Sequence, residues 1–128
     1  MAEISNYLEN ALINGTLRAT SYTAPTTTFL ALYTNDPTDA DTGTEVTGGS
    51  YVRQPITFSA PSNGATSNSS AIEFPQCTLT WGTITHIGIR DAVTSGYLLY
   101  HSPLDTSKTI STGDIFKITA TNLTVTLA

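Results

Sequence analysis

From Ile4 to Asn14 the apolar residues Ile4, Tyr7, Leu8, Ala11 and Leu12 recur at i, i+3, i+4, i+7 and i+8. That spacing lines one side of an α-helix and predicts an amphipathic helical leader. Gly15 after Asn14 is expected to end it, because Gly takes the left-handed conformation that closes helices, and Glu3 favours the positive end of the helix dipole. From Leu17 onward the helical period is replaced by short alternating runs. Thr26–Thr34, TTTFLALYT, is apolar on both faces and reads as a buried strand. In Tyr51–Ser59 the residues Val52, Gln54, Ile56 and Phe58 alternate with Tyr51, Arg53, Pro55 and Thr57. Pro55 has no N–H to give a ladder, so this strand is expected at an edge or with a bulge. Further strands are predicted at Ala71–Phe74, Thr78–Trp81, Thr83–Arg90, Tyr97–His101, Ser107–Ile110, Ile115–Ala120 and Leu123–Leu127. Asn35–Ser50 and Ala60–Ser70, rich in Asp, Gly, Pro, Ser and Thr, read as surface loops.

About eight to nine short strands after one helix predict a mainly β fold: a single β-sandwich, jelly-roll-like or barrel domain. The expected organisation is one domain over residues 1–128, with a helix over 1–15 and a β-domain over 16–128. Composition sharpens this picture. Thr occupies 25 and Ser 12 of 128 positions, and β-branched residues suit a pleated, half-buried surface. A chain of this size buries roughly two-thirds of its extended surface, enough for one core. Only 12% of residues are charged, yet Phe29, Tyr33, Tyr51, Phe58, Phe74, Trp81, Tyr97, Tyr100 and Phe116 sit inside strand-like runs, which argues against disorder. Trp81 is assigned to the core.

The net charge of −5, with Arg18, Arg53, Arg90, Lys108 and Lys117 as the bases, leaves no basic stripe for phosphates, so nucleic acid is not expected as a partner. Anionic membranes are disfavoured by the same charge, and no run of about 20 apolar residues is present to span a bilayer. MAEISNYLENALING has no basic stretch of the kind that opens a secretory signal, and Cys77 is the sole cysteine, which suits assembly in a reducing host cytoplasm.

Catalytic signatures are lacking: there is no Gly-x-Ser-x-Gly turn, His-Glu-x-x-His helix, phosphate loop or dinucleotide fingerprint. His86 is expected mid-strand with its ring bonded to backbone, His101 at a strand end on the surface, and Cys77 as a small buried hydrophobe. Asp36, Asp39, Asp41 and Glu45 form a local acidic cluster, and Asp39-x-Asp41-x-Gly43-x-Glu45 faintly resembles a calcium loop. The twelve-residue calcium pattern is incomplete, so neither a metal nor a cofactor is expected. The candidate interface comprises the helical stripe Ile4, Tyr7, Leu8, Ala11 and Leu12, together with Tyr51 and Arg53 on the strand after the acidic loop. The stripe must be covered by the chain's own sheet or by a partner.

Four segments carry a resemblance: Ala31–Phe58 (ALYTNDPTDADTGTEVTGGSYVRQPITF), Phe74-Pro75, Trp81–Ala92 (WGTITHIGIRDA) and Gly96–His101 (GYLLYH). Over nearly its whole length the chain resembles small tailed-bacteriophage virion proteins of the capsid decoration (cement) or tail-fibre-like type. The resemblance implies a structural virion component without catalytic residues. The first reading is a capsid decoration protein that contacts other virion proteins, the major capsid protein foremost, as a homo-oligomer of the trimeric kind common among decoration proteins. The alternative is a tail-fibre or baseplate module that binds a host surface receptor.

Overall fold

Residues that alternate in the sequence pair as antiparallel strands. The computed structural model describes residues 2–127. Among these the elements run β1 (Glu3–Ile4), α1 (Asn6–Leu17), β2 (Thr28–Tyr33), β3 (Gln54–Ile56), β4 (Ala65–Ser67), β5 (Ile72–Glu73), β6 (Gly82–Arg90), β7 (Leu98–Ile110), β8 (Lys117–Ile118) and β9 (Thr124–Thr126). Five strands form one sheet in the order β1-β7-β6-β2-β3, and two ribbons, β4-β9 and β5-β8, complete the fold. The fold is mainly β with a short N-terminal helix, as expected, and the described strands do not close into a barrel. Pro55 sits on β3, an edge strand, where its missing donor costs no ladder bond.

The sheet is buried on both faces of its centre. Leu30 and Leu32 of β2 and Ile84, Ile87 and Ile89 of β6 pack with Ile72, Phe74, Trp81, Phe116, Leu123 and Val125 in the main core. Ile84 and Ile87 are three apart, yet both are buried on that side. A bulge explains this: Ile84 pairs with Lys108 but His86 with Pro103, so the ladder slips between them and the side-chain alternation resets. On the opposite face Ala31, Tyr33, Arg90, Leu98 and His101 are also buried. There the Tyr33 ring crosses Gly88 so closely that a Cβ at that position would lie 2.8 Å from it. The loop between β2 and β3 and the start of α1 supply the groups that bond to this second face.

Several elements differ from the sequence expectation, each for a local reason. The helix starts and ends later than Ile4–Asn14. Ile4 pairs with Tyr100 in β1, and Ser5 caps α1 by accepting the Leu8 N–H at 3.2 Å while its own hydroxyl donates to Leu98 O at 2.5 Å. Gly15 stays helical; the left-handed residue is Ala19 (φ 54°), and Arg18 and Thr20 both donate their N–H to Asn14 O. The expected strand Thr78–Trp81 is irregular, since Leu79 is exposed while the Trp81 indole turns inward to Gly49 O at 2.9 Å. The expected strands Tyr97–His101 and Ser107–Ile110 are two parts of β7, separated by the bulge that Leu104–Ser107 makes opposite β6. The expected loop Ala60–Ser70 contains β4, which pairs with β9.

Candidate functional site

Two features stand out: the acidic loop packed on the second face of the sheet, and the exposed side of α1. The loop is held by its acids. Asp41 makes a two-toothed ion pair with Arg90, Nη1 to Oδ1 and Nη2 to Oδ2 both at 2.8 Å, and Arg90 Nη1 also donates to the Tyr33 hydroxyl at 2.9 Å. Glu45 accepts from Arg53 Nε at 2.8 Å and Nη2 at 2.7 Å, and from the Tyr51 hydroxyl at 2.6 Å. Arg53 Nη1 reaches on to Ala92 O at 2.9 Å and Ser95 O at 2.8 Å, which ties the acidic loop to the β6–β7 turn. Fixed planar forks of this kind are what a guanidinium provides and an ammonium cannot.

The electrostatics follow. Burial works to raise the Glu45 pKa, but hydrogen bonds from Arg53 and Tyr51 and the nearby guanidinium charges prevail and hold it below its ordinary value of 4.5. Burial and the adjacent Glu45 carboxylate push the Tyr51 hydroxyl upward. Burial opposes the charge on Arg90, and the bonds to Asp41 and Tyr33 more than offset it, so its pKa is raised.

Glu45 therefore makes the fold acid-sensitive. Its folded pKa lies below the unfolded one, so the unfolded chain binds more protons as the pH drops through that window. The stabilisation is complete above about pH 4.5 and is lost as pH falls through the lower folded value. Glu45→Gln is expected to be less stable at pH 7 and to show a flatter loss of stability on acidification, measured by urea unfolding at a series of pH values. Parallel pH profiles for the two proteins would contradict this.

His101, expected at a strand end on the surface, is instead within β7 and only 3% exposed. Its Nε2 lies 2.7 Å from Asp39 Oδ1. His86 meets the neighbouring Thr85 hydroxyl at 2.8 Å rather than backbone. Cys77 is buried as expected, with its thiol 3.0 Å from Leu79 O.

The candidate interface residues divide. Leu8 is buried, Ala11 and Leu12 are half-buried, and Ile4 lies in β1, so most of the expected stripe faces the chain's own sheet. Tyr7 lies flat on Tyr97 of the β6–β7 turn, ring centres 3.9 Å apart and planes 3° from parallel. Tyr51 and Arg53 are turned inward, Tyr51 stacked 5.9 Å from Phe74 and Arg53 only 8% exposed. On α1 an apolar pair outside the expected stripe is exposed, Ile13 at 53% and Leu17 at 78%; elsewhere Leu79, Tyr97 and Ile115 are also more than half exposed. At 3.6 residues per turn Ile13 and Leu17 lie one above the other, on the side of α1 away from Leu8. Their spacing was readable in the sequence, but the stronger stripe masked it.

Grooves open on the surface among the described residues. The larger, about 710 Å³, runs between the β7 bulge and the segment from Ile115 to Thr124, with Leu104, Ile110, Phe116 and Leu123 on its walls and Asp105, Lys108 and Lys117 beside them. Neither histidine lines it. The smaller, about 340 Å³, lies over Glu45, Tyr51 and Arg53.

This geometry is a β body with an exposed helical side, and its buried arginines Arg53 and Arg90 are tied up in internal ion pairs. A family model described as podophage GP4 fiber I protein gp80 matches residues 3–126, almost the entire chain. The chain belongs to this phage fibre family. Membership makes it a structural component of a tailed-phage virion. A search of curated proteins finds no match. No helix among the described residues is long and apolar enough to cross a membrane.

Proposed function

We propose that this chain is a non-enzymatic fibre subunit of a podophage-type virion, assembled with copies of itself through the outer side of α1. The observation that carries the reading is the match of a fibre family over residues 3–126. The structure offers a physical basis for assembly: Ile13 and Leu17 present apolar surface that folding leaves in water, and its burial against a neighbour is favourable at about 25 cal/mol per Å². Internal pairing of Asp41, Glu45, Arg53 and Arg90 supports a scaffold role, because rigidity rather than a reactive group is what these side chains provide.

Copy number separates this from the decoration reading formed on sequence resemblance, in which the chain coats the head and contacts the major capsid protein. Quantitative mass spectrometry of purified virions, with immunogold labelling, is expected to show a small number of copies per particle at a fibre position. Hundreds of copies spread over the head would overturn the fibre reading in favour of decoration.

A further inference from the structure

Arginines neutralise two acids of the loop: Asp41 pairs with Arg90 and Glu45 with Arg53. The other two, Asp36 and Asp39, converge with Glu3 of β1 on the His101 imidazole. Asp39 Oδ1 is 2.7 Å and Glu3 Oε2 3.7 Å from Nε2, and Asp36 Oδ1 is 3.7 Å from Nδ1. Among the described residues no lysine or arginine pairs with these three carboxylates. Even a charged imidazole would leave an excess of negative charge around a side chain that is 2% exposed. A buried histidine ordinarily satisfies a ring nitrogen with a backbone carbonyl; among the described residues His101 instead directs its ring into the carboxylate cluster.

We propose that Glu3, Asp39 and His101 form a binding site for a divalent transition-metal ion of the zinc type. Their ligand atoms lie within 4.8 Å of one another and come from three separate segments, β1, the acidic loop and β7. One imidazole nitrogen and two carboxylate oxygens, completed by water, are donors zinc accepts at about 2.0–2.2 Å. Calcium calls for six to eight oxygens, and Asp41 and Glu45, which complete the calcium-like spacing of the sequence, are committed to arginines. Ligand atoms on such a tetrahedron stand about 3.3 Å apart, so Asp39 withdraws slightly and Glu3 approaches. Both side chains are at least half exposed and can move, whereas His101 is fixed by burial. On binding, Nε2 coordinates through its lone pair, any proton it carries is released, and the remaining ring proton sits on Nδ1, facing Asp36. Asp36 is thus a positioning residue. The bound ion ties the base of α1 to the body of the protein.

The test is titration of the full chain, first stripped with chelator, with zinc chloride followed by calorimetry. Cobalt(II) absorption reports the coordination, and calcium chloride and magnesium chloride serve as comparators. One zinc per chain, a zinc-dependent rise in melting temperature and no comparable response to calcium or magnesium are expected. Glu3→Gln and Asp39→Asn, both at accessible positions, should each weaken zinc binding at least about tenfold, and Asp36→Asn about tenfold with the stoichiometry kept. His101→Asn should abolish binding and is read only where its circular dichroism matches the parent. Absence of saturable zinc uptake, zinc uptake unchanged in both Glu3→Gln and Asp39→Asn, or a preference for calcium would each overturn the proposal.

Discussion

Trp81→Ala is expected to lower stability by about 3–5 kcal/mol, enough to leave little soluble folded protein from a domain of this size. The indole is the hub of the main core. It meets Tyr51 edge-on at 5.5 Å and Phe74 at 6.2 Å, and Phe74 in turn meets Phe116 at 5.7 Å. Its Nε1 also donates to Gly49 O at 2.9 Å, which fixes the end of the acidic loop. Gly49 takes a positive φ of 59°, and a Cβ there would run into Leu79 O and lie 2.7 Å from Trp81 Nε1, so loop and indole approach too closely for any larger residue. Removal of the ring opens a cavity beside Tyr51 and Phe74 and leaves Gly49 O with only the Thr78 N–H, at 3.1 Å, among the described residues. Soluble expression and chemical unfolding measure the effect; a variant with the parent's unfolding midpoint would show that the aromatic cluster is not the core.

Arg53→Ala is expected to cost a comparable amount, about 3–5 kcal/mol, the range seen when one partner of a buried ion pair is removed. The loss exceeds that of a surface salt bridge because Arg53 is only 8% exposed and joins three pieces of chain: Glu45 in the acidic loop, Ala92 and Ser95 in the β6–β7 turn, and its own segment. Without it the Glu45 carboxylate keeps, among the described residues, only the Tyr51 hydroxyl. Arg53→Lys should recover only part of the loss, since an ammonium cannot form the fork to Glu45 and reach both carbonyls. Urea unfolding of the three proteins checks this. Equal stability of Arg53→Ala and the parent would place the arginine outside the structural network.

These two residues show what the sequence could and could not disclose. Trp81 was legible as core because a large aromatic among apolar neighbours has few alternatives, and β2 and β6 were legible because their apolar runs are long. Arg53, Arg90 and His101 were not. A charged or polar residue in an alternating strand reads as solvent-facing by default, because burial is costly without a partner. For two of them the charged partner lies far along the chain: Asp41 is 49 positions from Arg90 and Asp39 is 62 from His101. Arg53 has Glu45 only 8 positions back, but the carbonyls that complete its site, of Ala92 and Ser95, are 39 and 42 positions on. Periodicity describes which side chains share a face, not what covers that face. The same limit applies to α1, where the pattern located the stripe that meets the sheet but not the uncovered pair Ile13 and Leu17. The offset of its ends has another cause: Asn14-Gly15 is a valid stop signal in isolation, yet Ser5 is a valid start, and tertiary bonds from Ser5 to Leu98 and Leu99 fix the frame.

In the proposed assembly the chain is a virion fibre subunit joined to its neighbours through the outer side of α1. The most direct measurement is incorporation of an Ile13→Asp/Leu17→Asp double variant into particles grown on a host that supplies only this form, quantified by mass spectrometry of purified virions. Both positions are exposed, so each change should alter stability by no more than about 0.5 kcal/mol. The expected result is a soluble variant with the parent's melting temperature that is absent from particles. Incorporation at the parent's level would contradict the claim.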